Sequence, residues 1–486
     1  MKKKIQSIRH LIDIITPQKI RSINILDEKD DNVNKLYTII KEERNITEEE
    51  IIEILYPNNK YGKQYLNRLN SKLQERLMNT LMTIHVDDLD NTYNDRINLF
   101  KKHAMLQILN LYQNSQFAEL AKEILKESMR LHMTEVSISV LRMLTLWESN
   151  ITNDKKAYLK YKNLQNSYKI ILLAELEIEL LVKDLIVTSY DKWNSNIRLE
   201  KQSITANKII EIMNNHYSYR IYSMGGMTLL AYYSVNHRYK EIAALIQKLK
   251  EKLYDLNFDI PSTVKFSFNY NIVPYYIMSK NFDKAEDALE QCEKYSKRSL
   301  YNRNIILFLR KLKASYQKNY NEIIDLTKDK TNLKLAKYHA ETFILFDAYA
   351  KILTGQKLRL TKTLNSTPEY SKQKRSMNVN LLIIQVLEYA RRKQYDKIID
   401  RIDALKQYSH RYLRDDATYR SNCFIRLLLC LPRGHFNQVG VKRVAEPYLE
   451  KLLAKPILET NQDYEVEMVP FEDLWEFVVS LLPEKP

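Results

Sequence analysis

Between Pro57 and Pro261 the chain carries no proline, and its 486 residues include only 6 glycines. Proline and glycine punctuate helices and supply the geometry of tight sheet turns, so a chain this poor in both is expected to build long helices joined by short polar links. The expected fold class is therefore all-α.

The stretch Tyr275 to Tyr295, YYIMSKNFDKAEDALEQCEKY, shows how such links are written. Ile272, Tyr275, Tyr276 and Met278 repeat at helical spacing before Asn281, and Phe282, Ala285, Ala288, Leu289 and Cys292 resume it afterwards. Two amphipathic helices joined by Ser279-Lys280-Asn281 are predicted. An aromatic just past the link can wedge between the paired helices, and a small residue three positions on lets their backbones approach. The spacing recurs at Tyr239 (Ile242 after, Tyr233 before), Tyr320 (Ile323, Ala314), Tyr395 (Ile398, Tyr389) and Phe117 (Leu120, Leu111). If the interval from 117 to 239 holds three units and that from 320 to 395 two, further turns fall near Asn153 to Tyr158 and Gly355 to Leu358.

This pattern resembles the tetratricopeptide repeat, with Phe282, Ala285 and Tyr276 standing at that family's aromatic, small and preceding aromatic positions. It departs from the family where Ile or Leu replaces the small residue in four of the five turns and where the family's glycine is absent. The resemblance implies a right-handed α-solenoid of stacked helical hairpins over residues 91–430. An N-terminal helical module (1–90) would precede it, with an acidic capping segment (431–486) closing it, since open-ended stacks need a polar end. Pro274 should kink its helix, and Gly225-Gly226 inside a predicted helix should mark close packing or a kink.

In the N-terminal module, Thr47 and Glu50 form a capping-box pattern that opens a short helix. A longer helix follows, with Leu66, Leu69, Leu73, Leu77 and Leu81 on one stripe and Arg68, Lys72 and Arg76 beside it. Residues 34–82 resemble a helix-turn-helix core, which implies possible nucleic-acid contacts at Lys63, Arg68, Lys72 and Arg76. Val86 to Asn91 reads as the linker.

The net charge is +16, which suits polyanionic partners. Lys297 to Lys318 holds seven cations and no acid, interleaved with Tyr301, Phe308 and Tyr316, and a second basic excess spans Lys357 to Arg375. Arg303, Arg310, Lys311, Lys313, Lys357 and Arg359 are the candidate partner-binding residues, with Tyr233, Tyr276 and Tyr389 either joining them or packing between helices. The final stretch, Glu459 to Phe477, carries seven acids and no cation; it reads as an end cap, or as an acidic tail that folds onto the basic runs.

No GxxxxGK[ST], GxGxxG, HExxH, CxxC or GxSxG motif occurs. No cofactor, metal or catalytic residue is expected, and the function predicted is that of a non-enzymatic scaffold or adaptor binding a protein or peptide, with a nucleic-acid-associated regulator as the alternative. Cys292, Cys423 and Cys430 show no paired framework and are expected to pack as small apolar groups in a reducing cytosol. The polar residues of MKKKIQSIRHLIDII interrupt any apolar run, so neither a signal peptide nor a membrane span is expected.

Overall fold

A computed structural model describes residues 5–6, 8–9, 11–12, 31–43, 46–83, 91–112, 116–190, 195–236, 238–254, 260–296, 299–328, 337–358, 375–412, 419–459 and 467–484. Among the described residues there is no strand; helices joined by short turns form every regular element. None of these helices is long and apolar enough to cross a membrane. The chain divides into two compact units, Met1–Ile124 and Leu125–Pro486. The linker expected at Val86 to Asn91 lies, apart from Asn91, outside the described residues.

The N-terminal unit contains α1 (Asp31–Glu42), α2 (Glu48–Leu55), α3 (Gly62–Thr83) and α4 (Asn91–Leu111). The capping box at α2 is present: the Glu50 amide donates to the Thr47 hydroxyl and the Thr47 amide to the Glu50 carboxylate. Those hydrogen bonds hold the Glu50 carboxyl below its usual range. Ile5, Ile8, Val33, Leu36, Ile40, Ile51, Leu66, Leu69, Leu73 and Leu77 close into one apolar core among α1, α2 and α3. The apolar stripe read for α3 is thus its buried face from Leu66 to Leu77.

Helix α5 (Phe117–Arg130) runs across the boundary between the units, and the larger unit continues with α6 (Thr134–Trp147), the 36-residue α7 (Lys155–Tyr190) and α8 (Ser195–Asn215). A π-helical turn, Ile221–Gly226, leads into α9 (Met227–Val235), followed by α10 (Tyr239–Leu249), α11 (Ser262–Met278) and α12 (Phe282–Tyr295). Next come α13 (Leu300–Tyr316), α14 (Tyr320–Lys328), α15 (Lys337–Leu353), α16 (Arg375–Arg391) and α17 (Tyr395–Tyr412). The unit ends with α18 (Tyr419–Leu428), α19 (Cys430–Arg433), α20 (Gln438–Leu453) and α21 (Phe471–Ser480).

One turn geometry recurs. At the end of α11, Lys280 takes a left-handed φ of 57°, its amide donates to the Ile277 carbonyl and the Asn281 amide donates to the Tyr276 carbonyl. Lys318 (φ 61°) and Lys393 (φ 55°) repeat it, with Asn319 and Gln394 donating to Ala314 and Tyr389. His132 (φ 51°) does the same between α5 and α6. This is the Schellman closure, which satisfies carbonyls left open at a helix end. The residue six before each wedge aromatic is therefore the carbonyl acceptor of the turn. Gly355 (φ 73°) marks the turn expected near residue 355, and Asn153 (φ 54°) the one expected near 153. Positions 280, 318, 355 and 393 lie 37 or 38 residues apart.

Of the residues three past the aromatics, Leu120 after Phe117 is half-buried, whereas Ile242, Ala285, Ile323 and Ile398 are fully buried. They fill the seam that a smaller residue fills in the family pattern. Helices α9, α11, α13, α15 and α16 pack each on the next, while α12, α14 and α17 pair with α11, α15 and α16. The period is irregular before residue 239: five helices begin between 117 and 235, one short of the six that three hairpins require, because α7 and α8 are long.

The glycine pair behaves as a close-packing site. A Cβ on Gly226 would lie 2.5 Å from Cδ2 of the buried Leu249, and one on Gly225 would lie 3.0 Å from Cδ1 of Ile178. A π-turn and two glycines together let this segment approach α7 and α10 more closely than a regular helix could. Helix α11 runs without interruption through Pro274. All three cysteines are buried and unpaired, and burial pushes the Cys292 thiol up to about 12.

Candidate partner-binding surface

The basic run divides by helical face. On α13, Ile305, Leu309 and Leu312 face the core from one side, so residues 303, 307 and 310 fall on the other. Arg303 is exposed there beside Tyr301, which is also exposed. Arg310 instead reaches Glu286 at 3.1 Å and Glu293 at 2.8 Å on α12, and Lys313 pairs with the same Glu286. These two cations thus hold α13 to α12. Lys311 is fully buried, donating to Asp347 at 2.9 Å and to the Thr327 hydroxyl, and lying 5.2 Å from the Phe343 ring centroid. Burial pushes its ammonium below the ordinary lysine value, with Asp347 pulling the other way. Of the expected partner-binding residues, Arg303 and Lys357 are exposed. Arg359 lies outside the described residues, as do Lys297, Arg298 and the residues from 359 to 374.

The acidic end meets the last residue of this run. Lys318 pairs with Asp473 at 2.8 Å and Glu476 at 3.6 Å. Behind them, Ser315 donates to the Met468 carbonyl at 2.6 Å and Tyr316 to the Glu467 carbonyl at 3.0 Å. Glu467 is itself buried and receives two hydrogen bonds from Arg420, both 2.9 Å, while Arg420 also reaches Glu472 at 2.7 Å and the Leu452 and Lys455 carbonyls. The Phe471 amide donates to Glu467 at 2.7 Å, so one carboxylate both caps α21 and neutralises a buried guanidinium. Burial raises Tyr316, with the Glu467 charge adding to it. Sequence reading missed Arg420, which stands alone in an apolar stretch; its fourfold saturation comes from residues 32 to 52 positions away.

Beside this cluster, α20 and α21 enclose an open groove of about 710 Å³, lined by Gln438, Lys442, Arg443, Glu446, Trp475 and Glu476 among others. Lys442 and Arg443 are exposed on one wall and Trp475 is buried in the floor. The groove thus sets two cations and two exposed carboxylates, Glu446 and Glu476, around an apolar base.

In the N-terminal unit, Lys63, Arg68 and Lys72 are exposed along α3, with Tyr61 and Tyr65 exposed at its start, and Arg76 is half-buried. Arg68 and Lys72, four residues apart, share one solvent-facing side of α3 with Tyr65, whereas Lys63, nine residues before Lys72, falls on the opposite flank. No cluster of His, Cys, Asp and Glu suited to a metal ion occurs among the described residues. Comparisons with protein-family models, curated proteins and solved structures find no match for this chain.

Proposed function

We propose that this chain is a non-enzymatic scaffold of tetratricopeptide-like hairpins, wound as a right-handed solenoid, that binds an acidic protein or peptide segment. The observation that carries the reading is the recurrence of a left-handed helix-ending residue every 37 or 38 residues from 280 to 393, closed as a Schellman turn at 280, 318 and 393, together with the packing of α9, α11, α13, α15 and α16 in succession. Repetition of one supersecondary unit builds extended binding surfaces without a catalytic constellation. The surface assigned to the partner is the groove over Trp475, where Lys442 and Arg443 supply charge, with Arg303 and Lys357 as outlying contacts.

The test is fluorescence anisotropy with labelled Asp/Glu-rich peptides. Submicromolar to micromolar binding that falls about tenfold in Lys442→Glu/Arg443→Glu supports the assignment, because rim charges of the wrong sign repel such a ligand. Binding unchanged by that pair removes the groove from the proposal, and absence of binding removes the acidic-peptide class.

A second reading rests on the exposed cationic and aromatic stripe of α3: a nucleic-acid-associated regulator. Duplex DNA binding with a log-log salt slope near −0.9 per phosphate contact, flattened by Lys63→Gln/Arg68→Gln/Lys72→Gln, would support it. Binding absent at about 50 mM salt would exclude it.

A further inference from the structure

The longest helix, α7, leaves one whole side unoccupied. Its inner side is built from Tyr161, Ala174, Ile178, Val182 and Leu185, all buried. Its outer side carries Leu159, Ile170, Leu173, Leu176, Leu180 and Val187, which are 44%, 56%, 58%, 43%, 63% and 62% exposed. Scattered exposed leucines are ordinary, but Ile170, Leu173, Leu176 and Leu180 follow one another at spacings of three and four, the pattern of a helix-pair seam, with Leu159 eleven residues before them and Val187 seven after.

Charges on the same face are arranged symmetrically about Leu173. Lys169 lies four residues before it and Glu177 four after; Lys162 lies eleven before and Asp184 eleven after. All four are exposed. Of the apolar residues, Ile170 mirrors Leu176 and Leu159 mirrors Val187, while Leu180 falls opposite Asn166. The first half of the helix also carries five lysines and no acid (Lys155, Lys156, Lys160, Lys162 and Lys169), whereas the second carries Glu175, Glu177, Glu179 and Asp184 against Lys183 alone. Glu175 is buried, and Glu179 is already paired with Lys183 at 2.7 Å and Arg220 at 2.9 Å, so Glu177 and Asp184 are the acids left facing outward.

We propose that the outer side of α7 is a homodimer interface on which a second copy of this chain docks antiparallel across a two-fold axis at Leu173. In that register Leu173 meets Leu173 of the other copy, and Ile170 and Leu159 lie level with its Leu176 and Val187. Lys169 then faces Glu177, and Lys162 faces Asp184. A two-fold contact is self-complementary by construction, and only an antiparallel pairing of identical helices brings the basic half of each onto the acidic half of the other. Parallel pairing would place lysines on lysines. At about 1.5 Å per residue the stretch from Leu159 to Val187 is about 42 Å long.

The test is sedimentation velocity on the full chain. At about 50 µM protein and low salt the expected species is a dimer of about 116 kDa, twice 57.9 kDa, whose dissociation constant lies in the micromolar range usual for a modest interface. Leu173→Asp places two like charges on the axis and should weaken the dimer at least tenfold, with helical circular dichroism unchanged because the position is solvent-facing. Lys162→Glu/Lys169→Glu should do the same, and adding Glu177→Lys/Asp184→Lys to that variant should restore association. Leu173→Cys, under mild oxidation, should cross-link into a dimer on a denaturing gel, whereas the three native cysteines are buried. A chain that stays monomeric under these conditions overturns the proposal, leaving the face to a different partner. A dimer indifferent to Leu173→Asp, or one not rescued by the fourfold reversal, overturns it equally.

Discussion

Lys280, Lys318 and Lys393 occupy left-handed backbone positions that a glycine would enter without a steric penalty. Their presence explains why the turns carry no glycine signal although their geometry is of the kind glycine usually supplies. Lys280→Gly is expected to stabilise the chain by up to about 1 kcal/mol, the relief of left-handed strain less the entropy glycine loses on folding. Thermal melts check it, and a lower Tm would mean that the Lys280 side chain contributes more than its backbone costs. Glu175 provides a pH-dependent case. It is buried, accepts from Thr134 at 2.9 Å, and burial pushes its carboxyl above the ordinary range. The native state therefore keeps this proton to higher pH than the unfolded chain, and stability declines as pH rises from the unfolded value of about 4.3 through the raised native one. Glu175→Gln should match the parent near pH 4 and melt higher at pH 8; parallel pH profiles for the two proteins would refute this.

At the scale of elements, the buried Arg420–Glu467 pair ties α18 to the segment that caps α21. Removing one partner strands the other charge. Arg420→Met is expected to cost about 3–5 kcal/mol, while Arg420→Met/Glu467→Met should recover much of the loss, since an apolar pair of similar volume needs no compensation. Denaturant unfolding of the two variants separates the cases; equal losses would show that the Phe471 amide and the backbone carbonyls around Arg420 depend on these side chains as strongly as the two charges depend on each other. The Gly434–Gly440 approach is a second element-level constraint. A Cβ on Gly434 would fall 2.4 Å from the Val441 amide nitrogen, which no side-chain movement can relieve.

For the whole larger unit, the C-terminal segment is part of the fold as well as its polar end. Met468, Val469, Phe471, Leu474 and Trp475 are buried, Phe471 stacks on Phe424 at 4.6 Å, and the backbone at 467 and 468 accepts from Tyr316 and Ser315 about 150 residues earlier. Truncation after Glu459 should therefore lower Tm by several degrees and raise amide exchange in α13 and α18. Loss confined to α20 would contradict it. Lys318 with Asp473 and Glu476 gives this docking its exposed, salt-sensitive edge.

The sequence by itself determined that the described elements are helical, where the turns at 280, 318, 355 and 393 fall, and which stripe of each amphipathic helix is apolar. These are local properties, set by breaker scarcity and by spacings of three, four and six residues. It also marked Gly225-Gly226 for close packing. What only the tertiary structure decided is the fate of each charge: Lys311 is buried against Asp347, Arg310 and Lys313 are spent on Glu286 and Glu293, and Arg303 is left outward. A run of cations reads the same whether its partners are solvent, a ligand or carboxylates far along the chain, because Coulomb attraction acts through space and leaves no periodicity in the sequence. Arg420 was illegible for that reason. The outward seam of α7 was equally hidden, since an apolar stripe in sequence does not say which side of a helix its neighbours cover.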